Sequence, residues 1–299
     1  MNLKKAYWTN WILVVLIAIL FFTQHQNAAM AANEVLKPYK ERDFRYRKPI
    51  ESQDGGMFLR LPYDPLRDIN KRDEVPVRKV KSYYVSSKPK RHQKDLSLNA
   101  NGRNITYFAV GQLKGNAAMT VIFLHGRDGS RHLGFDDDRF GGNFNRVKNL
   151  MFRNKGIYLS ADFTDFKNDG KNDIKALIQK YRPLTKGPLV IACGSMGTHL
   201  CWRLAKDPAA AAMIDGLIIM GGFPDQEYLE MKKHKIIPIV MAHGSIDYVY
   251  NWKTTYNMYK NLALSGYPAR YLLFDGGKHG TPVRMTDWRN SLNWIAANQ

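Results

Sequence analysis

Short apolar runs alternate with amphipathic segments along the C-terminal two thirds of the chain. The runs are apolar at consecutive positions, which indicates strands that are buried on both faces, as in a parallel sheet. We predict such strands at 119–125, 156–161, 188–193, 215–221, 237–242 and 269–274. Helical spacing of apolar residues predicts helices between them, at 142–154, 170–181, 196–206, 249–265 and 283–297. Strands that alternate with helices in this way are typical of α/β domains.

The first third of the chain lacks this alternation. Residues 32–94 are basic and repeatedly interrupted by proline, which predicts an irregular N-terminal arm or linker. Within it, residues 80–86 are compatible with an edge strand. We expect the main domain to cover residues 95–299 and to open with a hairpin whose left-handed turn is Asn101-Gly102.

The first residues have the layout of a bacterial export signal. The start is basic, residues 11–22 are apolar, and Ala29 and Ala31 fit the small-residue pattern of a cleavage site. The apolar run is short for a membrane-spanning helix, which needs about 20 residues. We therefore predict a cleaved signal peptide over 1–31 and a periplasmic or secreted protein. An uncleaved signal that anchors the chain in the inner membrane is the alternative.

The composition is strongly basic, with 45 Lys and Arg against 26 Asp and Glu and a formal net charge of +19. The basic residues are spread along the chain, and no nucleic-acid-binding motif accompanies them. We predict no nucleic-acid partner. The charge indicates a solvated surface, with weak association with an anionic membrane or envelope surface as the alternative. No paired Cys and His spacing suggests zinc, and we predict neither a metal nor a cofactor.

Residues 188–200 combine an apolar strand, a tight turn and a helix. The strand ends at Gly194, and Ser195 follows on the turn. This layout holds a serine on a strained backbone with its hydroxyl exposed. Position 197 requires glycine, because side chains two residues from such a serine would collide. The other flank is Cys193, which is small enough to be accommodated.

The chain has two cysteines, Cys193 and Cys201, one on each side of Ser195. A disulfide needs a close and specific approach of the two β-carbons. A strand end and the second turn of the helix that leaves it are poorly placed for this approach. We therefore expect two buried thiols that pack as small apolar groups.

Two later strands end in residues that suit a serine nucleophile. Strand 237–242 is followed by His243 and then Asp247, and strand 269–274 is followed by a glycine loop that carries His279. An imidazole, with an ordinary pKa near 6.5, is suited to accept the serine proton. A carboxylate orients that imidazole and stabilises its charged form. The chain order is serine, aspartate, histidine.

Four motifs occur in one order along the chain, at residues 125–126, 193–197, 243–247 and 277–280. Together they resemble the α/β-hydrolases, in the style of bacterial serine esterases of the phospholipase/carboxylesterase and dienelactone-hydrolase kind. The resemblance covers about residues 95–299. It implies an α/β-hydrolase fold with a mostly parallel central sheet and helices on both faces.

The resemblance also implies a role for each matching residue. Ser195 is the expected nucleophile, His279 the general base and Asp247 the acid that orients it. The expected oxyanion hole consists of the backbone N–H groups of Met196 and Arg127.

Other interpretations of these residues are open. Ser195 and Asp247 are also suited to cap the helices that follow them. Asp225, after the preceding strand, is a rival acid. The aspartates at 136–138 are adjacent and lack the spaced ligands of a calcium loop, which favours a solvated acidic turn.

We predict an exported serine hydrolase that cleaves a carboxylic ester, small-molecule or acyl, through an acyl-enzyme. Two alternatives remain. One is a serine peptidase or amidase that uses the same residues. The other is a hydrolase-fold protein without activity that binds anionic envelope components through its basic arm.

Overall fold

The computed structural model describes residues 35–299, so the predicted signal peptide over 1–31 lies outside the described residues. Residues 36–299 form one compact unit. Its strands are β1 (Glu51–Gln53), β2 (Phe58–Pro62), β3 (Asp73–Glu74), β4 (Lys79–Val80), β5 (Lys94–Ala100), β6 (Arg103–Gly111), β7 (Thr120–Leu124), β8 (Ile157–Ala161), β9 (Leu189–Gly194), β10 (Gly216–Met220), β11 (Ile239–Gly244) and β12 (Ala269–Asp275).

The centre of the fold is a ten-stranded sheet with the order β1-β2-β12-β11-β10-β9-β7-β8-β6-β5. Strands β8, β7, β9, β10, β11, β12 and β2 run parallel, and β1, β5 and β6 are antiparallel to their neighbours. Every residue of β7, β8, β9, β10 and β11 is buried. Helices cover both faces of a sheet of this kind, which is why the strands are apolar at consecutive positions.

The predicted strands and the hairpin agree closely with this sheet. Each of the six predicted strands overlaps an observed strand, and the predicted and observed bounds differ by at most two residues. The strand predicted at 188–193, for example, is β9. Asn101 and Gly102 form the left-handed turn between β5 and β6, with φ angles of 54° and 73°. The apolar pattern therefore predicted the central strands correctly, and the turn residues predicted the hairpin correctly.

The five predicted helices are present with one correction, and four helices of four or five residues within 35–299 were not predicted. They are α1 (Glu41–Phe44), α2 (Arg131–Phe135), α3 (Asn143–Arg153), α4 (Asn168–Tyr181), α5 (Thr198–Lys206), α6 (Pro208–Ala211), α7 (Gln226–Glu230), α8 (Trp252–Leu264), α9 (Thr281–Met285) and α10 (Trp288–Ala297). The single helix predicted over 283–297 is two helices, because Asp287 is extended and caps α10 by accepting the Asn290 N–H. None of the described helices is both long and apolar enough to cross a membrane.

The N-terminal arm is more ordered than predicted. Strand β2 lies in the central sheet, parallel to β12, with Phe58 opposite Tyr271. The edge strand that we placed at 80–86 is confined to β4, and a 3₁₀ turn follows it at Ser82–Tyr84. The arm supplies one edge of the central sheet through β1 instead, and β5 of the hairpin is the other edge. Strand β2 contains Arg60 and ends in Pro62, so it lacks the run of consecutive apolar residues that marked the other parallel strands.

Candidate active site

A strained turn holds Ser195 at the carboxyl end of β9. Its φ angle is 51°, in the left-handed region that non-glycine residues seldom adopt. A 3₁₀ turn, Ser195–Gly197, connects the strand to α5. A Cβ at Gly197 would lie 2.5 Å from the carbonyl oxygen of His125 and 2.7 Å from that of Leu124. The absence of a side chain at 197 therefore allows the turn to pack against the end of β7.

The expectation of free thiols at Cys193 and Cys201 was wrong. The two residues form a disulfide, with their Cα atoms 6.3 Å apart. Both are fully buried, so Cys201 lies on the face of α5 that packs on the sheet and points back towards the end of β9. By the loop-closure argument, a bridge across a separation of 8 residues stabilises the fold by about 2–3 kcal/mol. The disulfide ties the strand before Ser195 to the helix after it.

The side chains of Ser195, His279 and Asp247 form one hydrogen-bonded chain. The His279 Nε2 atom lies 2.8 Å from Ser195 Oγ, and its Nδ1 atom lies 2.8 Å from Asp247 Oδ2. Since a carboxylate only accepts hydrogen bonds, Nδ1 carries the proton, and Nε2 is left to accept the hydroxyl proton. Strands β9, β11 and β12 are parallel, so the loops after them meet at one edge of the sheet.

Asp247 is a fully buried carboxylate with four donors. Its Oδ1 atom accepts the backbone N–H groups of Val249 at 2.8 Å and Tyr250 at 3.2 Å. Its Oδ2 atom faces His279 and, at 3.2 Å, His243 Nε2. Burial alone would raise the pKa of this carboxyl, but the hydrogen bonds hold the pKa well below its usual range. Asp247 is therefore ionised at neutral pH.

His243 also belongs to the site, although the sequence analysis gave it no role there. It is buried, and its Nε2 atom lies 3.0 Å from the Tyr250 carbonyl oxygen as well as 3.2 Å from Asp247 Oδ2. Both of these atoms are acceptors, so Nε2 carries a proton and donates to them. His243 thus donates to Oδ2 of Asp247, whereas the backbone N–H groups of the following turn donate to Oδ1. Its spacing of four residues from Asp247 is the one sequence signal for this contact.

The loop after β7 lies directly against Ser195. A Cβ at Gly126 would be 2.9 Å from Ser195 Cβ and 3.4 Å from its Oγ. His125 shapes this loop, because its Nδ1 donates to the Gly126 carbonyl oxygen at 2.8 Å. Within residues 35–299 the N–H of Arg127, the next residue, has no hydrogen-bond partner. Met196 directly follows Ser195 in the 3₁₀ turn, so both predicted oxyanion donors belong to segments that border this hydroxyl.

Aromatic rings surround the exposed side of the site. The ring of Tyr250 lies 5.6 Å from that of His279 and 5.4 Å from that of Phe223, which also contacts His199 at 4.0 Å. On the other side, His125 stacks on Phe163 at 4.4 Å. Aromatic rings therefore contact both His279 and His125 of the loop after β7, and such rings favour an apolar or planar group.

The remaining candidate residues have other partners. Asp225 caps α7 by accepting the Tyr228 N–H at 2.7 Å, and it pairs with Lys206 at 2.9 Å. In the acidic turn, Asp136 accepts backbone N–H groups, and Asp137 pairs with Lys148 at 2.7 Å. No group of three or more His, Cys, Asp or Glu residues in the described part of the chain is arranged to hold a metal ion.

Comparison with known proteins gives structural likeness only. No family model matches the sequence, and no curated protein does. A thermostable esterase superposes with a TM-score of 0.53 at 20% identity, over 69% of this chain and 62% of its own. An esterase of Pyrococcus furiosus superposes with a TM-score of 0.52 at 15% identity, over 71% of this chain and 96% of its own. The chain has the α/β-hydrolase fold.

Another similar structure is the apo form of esterase 2 of Thermogutta terrifontis. Its TM-score is 0.48 at 14% identity, over 69% of this chain and 92% of its own. The fold assignment rests on the thermostable esterase and the Pyrococcus furiosus esterase, and at 20% and 15% identity their likeness establishes the fold alone, so the chemistry has to be argued from the site itself.

Proposed function

We propose that this protein is a serine hydrolase that cleaves a carboxylic ester through an acyl-enzyme intermediate. The observation that carries the proposal is the hydrogen-bonded chain from Ser195 through His279 to Asp247. A lone serine at a helix start would need no such partners. The two structures described above with TM-scores of 0.53 and 0.52 are esterases, which makes esters the first substrates to test.

The proposed reaction begins when Ser195 Oγ attacks the carbonyl carbon while its proton passes to His279 Nε2. Asp247 keeps Nδ1 protonated and stabilises the imidazolium that forms. The negative oxygen of the tetrahedral intermediate accepts the N–H groups of Arg127 and Met196. His279 then gives its proton to the leaving alcohol oxygen, the carbon–oxygen bond breaks, and the acyl group remains on Ser195. Water, deprotonated by His279, releases the acid in the reverse sequence.

A fluorophosphonate probe tests this assignment, because it reacts covalently with activated serines. We expect complete labelling of the wild-type protein and of Ser265→Ala, which removes an exposed serine in the turn after α8. We expect no labelling of Ser195→Ala. Equal labelling of Ser195→Ala would contradict the proposal. A well-folded wild-type protein that resists the probe would favour a hydrolase fold that only binds its ligand.

The same preparation distinguishes an esterase from an amidase. p-Nitrophenyl esters of increasing acyl length are compared with the matching p-nitroanilides. We expect the ester to have the higher kcat/KM in each pair and all turnover to disappear in Ser195→Ala. A preference for the anilides would assign the site to a peptidase or amidase instead.

We also propose that the protein is exported. The N-terminal pattern is one support, and the buried disulfide between Cys193 and Cys201 is the other, because such bridges persist in oxidising compartments. The two supports are independent, since one lies in the sequence of residues 1–31 and the other beside the proposed nucleophile.

Intact mass spectrometry checks export and oxidation together. We expect protein isolated from the envelope fraction of an expressing bacterium to begin at residue 32 and to be lighter than its reduced form by the two thiol hydrogens. Cys201→Ser should show no such change on reduction. A chain that retains its first 31 residues would support the anchored alternative, and free thiols in the exported protein would contradict the disulfide.

A further inference from the structure

A cavity of about 450 Å³ lies where the N-terminal arm packs on the carboxyl edge of the sheet. Pro62 at the end of β2 and Phe274 near the end of β12 form part of its wall, and the rest comes mostly from residues 42–84. Ser195 and its partners do not line it. Its volume suits a small organic ligand, and the carboxyl edge of a parallel sheet is where such ligands usually bind.

The charge of the cavity wall is strongly positive. Asp68 is neutralised by Arg67, whose Nε donates to Asp68 Oδ1 at 2.8 Å, which leaves Asp43 as the other acidic side chain of the wall. Four basic side chains of the wall have no ion pair or hydrogen bond to any residue between 35 and 299, namely Arg42, Arg45, Arg47 and Lys71. The wall therefore carries a positive excess greater than one charge.

The sixth basic residue of the wall, Arg72, is buried without a counter-ion. It is 5% exposed, and its Nη2 donates to the Gly141 carbonyl oxygen at 2.6 Å. Its guanidinium lies 4.5 Å from the Phe44 ring centre and 5.6 Å from that of Tyr84. Its Nε has no hydrogen-bond partner among the described residues.

The acids nearest to Arg72 are already paired with other arginines. Asp73 binds Arg284 at 2.6 Å, and Asp68 binds Arg67. Burial and the nearby Arg284 charge lower the pKa of Arg72 to about 10. A buried guanidinium without an anion is costly, and the usual remedy in proteins is a paired charge. In this cavity the protein supplies none to Arg72.

We propose that the cavity binds the phosphate group of a small organic phosphate. Guanidinium groups recognise carboxylate and phosphate alike, but a positive excess above one charge favours a dianion, and a phosphate monoester carries nearly two charges at neutral pH. The rings of Tyr46, Tyr83 and Phe274 offer the organic part an apolar wall. A soluble phosphate monoester and the phosphorylated headgroup of a lipid share this chemistry.

Calorimetric titration of the purified protein in phosphate-free buffer tests the proposal. The soluble probes are inorganic phosphate, glycerol 3-phosphate and phenyl phosphate. The lipid probes are vesicles that contain phosphatidic acid, whose headgroup is a phosphate monoester, with vesicles of phosphatidylcholine alone as the comparison. We expect saturable binding, tighter for phenyl phosphate than for inorganic phosphate. The double variant Arg45→Gln/Arg47→Gln should weaken binding about tenfold or more, because it removes two charge-assisted contacts from exposed positions where folding is not at risk.

Two further variants keep the result interpretable. Arg91→Gln/Lys114→Gln removes the same charge from exposed residues outside the cavity and should change affinity by less than about twofold. Arg72→Lys keeps the buried charge but loses the planar fork, and it should weaken binding while the protein stays folded. Fluorophosphonate labelling of all three variants shows whether Ser195 is unaffected, so loss of phosphate binding is distinguished from failure of the proposed hydrolase.

Each outcome decides the proposal. Binding of soluble monoesters assigns the site to a free organic phosphate. Binding confined to vesicles that contain phosphatidic acid assigns it to a lipid headgroup, provided that Arg45→Gln/Arg47→Gln weakens it. The proposal is overturned if no probe binds the wild type saturably at millimolar concentration, or if the Arg91→Gln/Lys114→Gln control loses as much affinity as the cavity variant.

Discussion

Replacing Asp247 by asparagine is expected to lower kcat for ester hydrolysis by about 10⁴-fold while the protein stays folded. The carboxylate now accepts His279 and His243 on one oxygen and two backbone amides on the other. A carboxamide has one accepting oxygen, so its NH₂ group must face donors on one side. If it faces His279, the imidazole has to place its accepting nitrogen towards residue 247, and Nε2 then carries a proton and cannot take one from Ser195.

The measurement is the steady-state hydrolysis of a p-nitrophenyl ester by Asp247→Asn and by Asp225→Asn. Asp225 is the rival acid, and it follows the neighbouring parallel strand as Asp247 does. The asparagine side-chain oxygen can still accept the Tyr228 N–H and cap α7, so the variant loses only the ion pair with Lys206, which is worth about 1 kcal/mol or less. We expect kcat of Asp225→Asn to stay near that of the wild type. Reversal of the two results would move the acid of the site from Asp247 to Asp225.

The location of these residues follows from rules that act over short stretches of sequence. Consecutive apolar residues predicted β9, β11 and β12, and a parallel sheet brings the loops after such strands to one edge. Ser195, Asp247 and His279 each follow one of these strands, so their proximity needed no knowledge of distant contacts. The turn at Ser195 was predictable for the same reason, since Gly197 stands two residues after it.

The features that the sequence missed depend on how elements are oriented in three dimensions. The bond between Cys193 and Cys201 depends on which face of α5 packs on the sheet, and spacing alone does not give that orientation. Strand β2 is recognisable only through its partner β12, because Arg60 interrupts its apolar residues and Pro62 ends it. The contact of His243 with Asp247 depends on the turn that brings the carboxylate back over the end of β11.

The arm shows the same limitation on a larger scale. Its prolines correctly indicated irregular structure, but they gave no sign that Arg72 would be enclosed between Phe44 and Tyr84. A charged residue in a polar, basic segment is expected to be solvated. Burial of Arg72 results from contacts with Gly141, which is distant in sequence, and so it becomes visible only in the folded chain.

Gly197→Ala is expected to damage both the stability and the activity of the protein. The new Cβ would lie 2.5 Å from the His125 carbonyl oxygen and 2.7 Å from the Leu124 carbonyl oxygen. Both are backbone atoms at the end of β7, so neither can move without shifting the strand or the turn. Overpacking of this kind costs about 1–3 kcal/mol. It also separates Ser195 from the loop that carries Arg127, and the loss of one oxyanion donor lowers kcat about 100- to 1000-fold.

Gly194→Ala is the matched control, because it adds the same methyl group to the same turn. The nearest atoms to a Cβ at 194 are 3.7 Å away, and the φ angle there is −104°, which alanine adopts without strain. We expect its melting temperature and kcat to stay close to those of the wild type, whereas Gly197→Ala should melt several degrees lower, at about 2–4 °C per kcal/mol. Equal behaviour of the two variants would mean that Ser195 does not sit on a turn pressed against β7, and the donors assigned to Arg127 and Met196 would then lose their geometric basis.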